Sequence, residues 1–174
     1  MRPITDYLIS DDKRKEIQDG DKMLEFLAHN QTLQAVLGFA DDILLDMYEV
    51  AFGLFEQKRY SECIDAFIFL TTINPSVSSF WLGLGSALQM EQRLDEAMAA
   101  YKVAISKDPE RLDGYLYAAR CCMQMKEYEE GQKICDIALE LAEENPENDQ
   151  LVRIIQDVRK MKRHLGEVKR KHRS

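Results

Sequence analysis

Four cysteines, three histidines and several acidic pairs are the residues whose types could make or break bonds, and their spacing argues against it. Cys63, Cys121, Cys122 and Cys135 form no Cys-x-x-Cys pair, and no histidine stands at a metal-ligand spacing from any of them. They read as reduced core cysteines of a cytosolic protein. His29, His164 and His172 are scattered without companions. Gly83-x-Gly85 falls inside a helical pattern, so it cannot form a phosphate loop. Asp41-Asp42 and Glu143-Glu144 read as helix-end or surface charges. These patterns predict no catalysis, no metal and no cofactor.

Recognition chemistry is what remains. Leu45, Tyr48, Phe52 and Phe55 recur at three- and four-residue spacing, so they share one helix face. The same helix carries a packing stripe of Leu44, Met47, Val50, Ala51 and Leu54. A helix apolar nearly all round should be covered on both sides. Either the segment Thr32 to Phe39 folds back over the aromatics, or they line a groove that takes the apolar side chains of a peptide. The pattern favours the groove.

The elements that must position these residues follow from an echo in the chain. Tyr60, Leu94 and Tyr128 are 34 residues apart, as are Phe67, Tyr101 and Cys135, and Leu70, Ala104 and Ala138. Pro75 and Pro109 keep the same step. A 34-residue period with aromatic, small residue and proline in fixed order is the signature of the tetratricopeptide repeat, a helix-turn-helix unit that stacks into a solenoid. The repeats fall at 44–77, 78–111 and 112–145. The second is the most regular, with Trp81, Leu84, Gly85, Ala97, Tyr101, Ala104 and Pro109 in the hallmark places. Gly85 and Ala97 are small because the two helices cross closely there. In repeat 1 Cys63 takes that position. Repeat 3 lacks the proline on schedule, and Pro146 arrives late, so its second helix is lengthened.

The first helix of each pair lines the concave surface. The inward set is therefore Leu45, Tyr48, Phe52 and Phe55 in repeat 1. It is Ser79, Leu82, Ser86 and Gln89 in repeat 2, and Asp113, Leu116, Arg120 and Met123 in repeat 3. Outside the repeats, an N-terminal helical region spans 1–43. Within it one helix is capped by Ser10 or Asp11 and runs to about His29, and a second spans Thr32 to Phe39. Asp41 reads as the N-cap of the first repeat. After Pro146 a final helix to about Gly166 offers Leu151, Ile154, Ile155, Val158 and Met161 as a capping stripe. The tail from Glu167 reads as frayed.

Composition agrees with a helical domain of 174 residues, 45% apolar and 31% charged. No apolar run approaches the ~20 residues that span a bilayer, and Met1 to Glu16 lacks the apolar core of a secretory signal. The net charge of −8 is uneven. From Arg153 to Arg173 nine Lys/Arg face two Asp/Glu, while the rest, with 14 basic and 29 acidic residues, carries −15. No aromatics interleave with the basic tail, so it reads as a solvated helix end rather than a nucleic-acid arm.

The run Met47-Tyr48-Glu49-Val50-Ala51-Phe52, followed by Tyr60, Phe67 and Phe80-Trp81-Leu82-Gly83-Leu84-Gly85, resembles the class II chaperones of bacterial type III secretion. These are small tetratricopeptide proteins that hold the hydrophobic translocators before export. The likeness covers about Thr32 to Met161. It implies a cytoplasmic bacterial chaperone, an N-terminal region used in dimerisation, and a concave groove that takes an extended translocator segment. The groove residues it implies are Tyr48, Phe52, Phe55 and Tyr60, with Phe67, Ile73, Leu84 and Tyr101 contributing or supporting; Tyr60 and Tyr101 fit the core equally well, and Phe67 fits it better. Phe55 stands where the family has a tyrosine. The resemblance assigns no function to the basic tail, and implies no nucleic-acid or direct membrane binding.

Two other binding roles are open to a repeat protein. A clamp for a C-terminal carboxylate needs cations on the concave helices, and only Arg120 would serve. A generic scaffold or adaptor in a larger assembly would use other faces.

Overall fold

The computed structural model describes residues 8–19, 21–22, 29, 32–144 and 149–173, with side chains for all of these but 143–144, 149–155 and 171–173. Regular structure among them is helical: α1 Asp11–Gln18, α2 Leu33–Leu37, α3 Asp41–Glu56, α4 Tyr60–Ile73, α5 Ser78–Met90, α6 Leu94–Lys107, α7 Leu112–Met125, α8 Tyr128–Glu144 and α9 Asp149–Arg173. Helices α3/α4, α5/α6 and α7/α8 are three consecutive helix-turn-helix pairs, which makes the fold all-α, of the tetratricopeptide solenoid class. Two compact units divide the chain at Phe80, within α5.

The 34-residue step is written into the backbone as well as the side chains. Each pair turns through one non-glycine residue in the left-handed region: Lys58 (φ 60°), Gln92 (φ 60°) and Lys126 (φ 64°). The flanking hydrogen bonds are the same each time. Arg59 N donates to Leu54 O, Arg93 N to Leu88 O and Glu127 N to Cys122 O, at 3.0, 3.0 and 2.8 Å. These are Schellman closures, which satisfy the last carbonyls of one helix and reverse the chain in two or three residues. The linkers between pairs stop differently. Asn74 sits in extended backbone (φ −139°) and Asp108 has left the helical region (φ −145°) because each precedes a proline, whose ring disfavours the helical conformation in its neighbour.

Packing within each pair depends on small residues. In the first unit Ala51 and Cys63 are fully buried, and the Cys63 thiol donates to Ala51 O at 3.3 Å. In the second, a methyl on Gly85 would lie 2.6 Å from Cε1 of the fully buried Tyr101. A methyl on Gly131 would lie 3.2 Å from Cys122 Cβ and 3.0 Å from Leu165 Cδ1, so α7, α8 and α9 meet at that point. Val158 and Leu165 of α9 complete a core with Leu112, Tyr115, Leu116, Ala119, Cys135, Ala138 and Ala142.

Several local expectations are corrected. The first helix ends at Gln18 rather than near His29, because Asp19 is extended and its side chain caps a new start, accepting from Asp21 N (3.1 Å) and Lys22 N (3.4 Å). Residues 23–28 of that expected helix fall outside the described residues, as do the side chains of Leu151, Ile154 and Ile155. The N-cap of α3 is Ala40, not Asp41, whose carboxylate turns instead to Gln34. Val50 is 63% exposed, off the packing stripe of α3. The tail is helical through Arg173. Its cations face acids on α8, Lys169 pairing with Glu129 at 2.9 Å and Lys162 with Asp136, which gives the basic segment a structural partner.

Replacing Lys58, Gln92 or Lys126 by Gly removes a Cβ from the left-handed region, so each swap is expected to stabilise by about 0.5–1 kcal/mol. A rise of a few degrees in the circular-dichroism melt checks this, and a fall would refute it. Gly85→Ala is expected to destabilise by about 1–3 kcal/mol, because Tyr101 has no free space to retreat into.

Candidate peptide-binding site

Helix α3 presents its aromatic face on a rigid base. Tyr48 is half-buried, edge-on to the buried Phe67 (centroids 5.8 Å, 72°) and tilted against Phe80 (5.9 Å, 30°). Two turns on, Phe55 packs edge-on to Tyr60 (5.4 Å, 65°). These geometries suit the ring quadrupoles and hold the two rings in place. On the same face Leu45, one turn before Tyr48, and Phe52, between the two rings, stand out, 57% and 48% exposed. Helix α2 therefore does not fold back over this face.

Beside Leu45 and Tyr48 the surface dips into a pocket of about 330 Å³. Leu44, Leu45, Tyr48, Val77 and Phe80 form its apolar walls, and Gln34, Asp41, Asn74 and Ser79 its polar end. The buried Gln34 organises that end. Its Nε2 donates to Asp41 Oδ1 (2.6 Å) and to Phe39 O (3.3 Å), while its Oε1 accepts from Asn74 Nδ2 (2.6 Å).

The remaining expected site residues lie deeper. Ile73, Leu82, Leu84, Tyr101 and Leu116 are all buried, Tyr101 completely. The Tyr101 hydroxyl donates to Gln89 Oε1 at 2.7 Å, and burial pushes its phenol well above the ordinary range. In the second unit the accessible neighbours are more polar. Gln89 Nε2 donates to Gln124 Oε1 at 2.8 Å, Tyr117 stacks on Tyr101 (6.0 Å), and the Arg120 guanidinium lies 5.8 Å from the Tyr117 ring centre. Sequence reasoning missed Tyr117 and the pocket residues Gln34, Asn74, Val77 and Phe80. Tyr117 was recoverable, standing three residues before Arg120 on the same face. Gln34 and Asn74 are forty residues apart, and no local pattern pairs them.

The cysteines have no nucleophilic role in this arrangement. Burial pushes the thiols of Cys63, Cys121 and Cys135 up to about 11 and that of Cys122 up to about 12, so they stay protonated at neutral pH. No group of three or more His, Cys, Asp or Glu suited to a metal occurs among the described residues. No described helix is long and apolar enough to cross a membrane.

Paired helices of this kind define a tetratricopeptide-repeat fold, and a tetratricopeptide-repeat family model matches residues 88–153. Within that class the chain resembles the class II chaperones of type III secretion. It is 27% identical over 129 residues to low calcium response locus protein H of Yersinia pseudotuberculosis, covering 74% of this chain and 77% of that one. Its fold matches a type III secretion complex from Aeromonas hydrophila with TM-score 0.77, at 22% identity over 86% of this chain and 97% of the other. It also matches the Yersinia enterocolitica type III secretion chaperone SycD, solved in complex with a peptide of the translocator YopD. That TM-score is 0.67, at 24% identity over 75% and 97% of the two chains.

If Phe52 serves binding and Phe67 the core, truncation separates them. Phe52→Ala is expected to cost under about 1 kcal/mol of stability and Phe67→Ala about 3–5 kcal/mol. Equal costs in a urea melt would show that Phe52 is a packing residue.

Proposed function

We propose that this chain is a cytoplasmic chaperone of a type III secretion system and that it acts by binding rather than catalysis. Its client is a hydrophobic translocator or effector, held by an extended apolar segment so that it stays soluble and export-competent. The observation that carries this reading is the α3 face, where Leu45 and Phe52 are exposed beside two rings, Tyr48 and Phe55, held by their neighbours. Leu45, Tyr48, Phe52, Phe55 and Tyr60 would touch the client. Ile73, Leu82, Leu84, Tyr101 and Leu116, being buried, would support that surface from beneath. In this reading no nucleic acid or direct membrane contact is involved, and a second copy pairs through the N-terminal region.

The affinity follows from the face. Each well-buried apolar anchor contributes about 1.5–3 kcal/mol, offset by the cost of ordering a flexible client. Two or three anchors give a moderate affinity, which suits a client that must be released. A preformed face lowers the chaperone's share of that cost.

A second reading, an adaptor in a larger assembly, has its own observation: Ile68 and Phe69 on α4 are 47% and 46% exposed. Co-expression with a membrane-active exported protein distinguishes the two. Leu45→Glu/Phe52→Glu is expected to lower client capture by at least about tenfold, two buried anchors being lost, with the helical spectrum intact. Ile68→Asp/Phe69→Asp is expected to leave capture unchanged. The opposite pattern would establish the adaptor.

A further inference from the structure

The pocket beside Tyr48 has two chemically different ends, and its polar end has more acceptors than donors. Both N–H groups of the Gln34 amide are used, on Asp41 Oδ1 and Phe39 O. One N–H of Asn74 Nδ2 donates to Gln34 Oε1, which leaves its second N–H and the Ser79 hydroxyl as the donors of this end, and Asn74 Oδ1 accepts from Ser76 N at 3.1 Å. The Asp41 carboxylate offers about four acceptor sites, of which Gln34 occupies one. Among the described residues no basic side chain lines the pocket. Lys13, whose stem lies 3.4 Å from where a Cβ on Gly38 would stand, carries its ammonium to Glu16 at 2.9 Å. The polar end therefore asks its occupant for hydrogen-bond donors and positive charge. The walls, Leu44, Tyr48, Val77 and Phe80, ask for a hydrocarbon stem. A volume of about 330 Å³ lies at the small end of ligand pockets and suits one long side chain.

We propose that this pocket is a subsite for a lysine or arginine side chain of the bound segment, its methylene stem against the apolar walls and its cationic tip on Asp41. Amphipathic side chains of this kind bury the stem and keep the charge at a polar rim. The subsite would set specificity: the client segment needs a basic residue adjacent to the apolar anchors that lie on Tyr48 and Phe52. The acidic balance of the chain outside its tail favours such a segment before contact. The source of the side chain rests on the chaperone reading, whereas the chemistry of the pocket does not.

The test uses the full chain with methyl-labelled leucine and valine, titrated with n-hexylammonium, n-hexanol and hexanoate under NMR. Hexylammonium is expected to shift the methyls of Leu44, Leu45 and Val77 and to bind at least about fivefold more tightly than hexanol, through a charge-assisted hydrogen bond, with hexanoate weakest. Asp41→Asn keeps an acceptor for Gln34, so the fold is retained, and it is expected to bring the ammonium-to-hexanol ratio close to one with hexanol binding unchanged. Equal binding of hexanol and hexylammonium, an unchanged ratio in Asp41→Asn, or no shift at these methyls overturns the proposal. Failure of client capture with a positive hexylammonium result would count against the chaperone reading alone.

Discussion

Each helix pair is held together by a crossing at which one partner has almost no side chain, and the rest of the structure depends on that approach. At Gly85 there is no room for a methyl group beside Tyr101, and at Gly131 the methyl would press on both α7 and α9. In the first pair the same job falls to Ala51 and Cys63, close enough for a thiol to reach a backbone carbonyl. Large aromatics can be fully buried here because the backbones come so near: Phe67 and Tyr101 have no surface to speak of. Dense interiors of this kind tolerate neither an added methyl nor a lost ring.

The same economy explains the turns. Lys58, Gln92 and Lys126 accept a conformation that favours glycine, and each does so at the same point of the repeat. The closing hydrogen bonds repay part of that strain by satisfying helix-end carbonyls. Turns this short return the second helix directly against the first, which brings the small residues opposite one another.

Bracing under the proposed binding face would have a functional consequence. Tyr48 is braced by Phe67 and Phe80, and Phe55 by Tyr60, so little side-chain freedom would be left to lose on binding a peptide. Leu45 and Phe52 remain exposed because α2 packs elsewhere. It delivers Gln34 to the polar end of the pocket instead, so that apolar and acidic surfaces lie side by side in the first unit. The basic C-terminal helix, by contrast, spends Lys162 and Lys169 on the acids of α8.

The sequence by itself determined the repeat, because a 34-residue period reports a helix-turn-helix geometry that recurs whatever fills it, and because small residues and prolines have local steric meanings. It also placed Tyr48, Phe52 and Phe55 on one face, since helical spacing is enough for that. Depth required the tertiary structure. Leu82 and Leu116 share the helical spacing of lining residues yet are buried, while Val50 sits at a packing spacing and is exposed. Periodicity reports direction around a helix, and not how far the neighbouring helices reach. The pocket was hidden for a related reason: Gln34, Asp41 and Asn74 meet only through folding, and hydrogen bonds between distant amides leave no period in the chain.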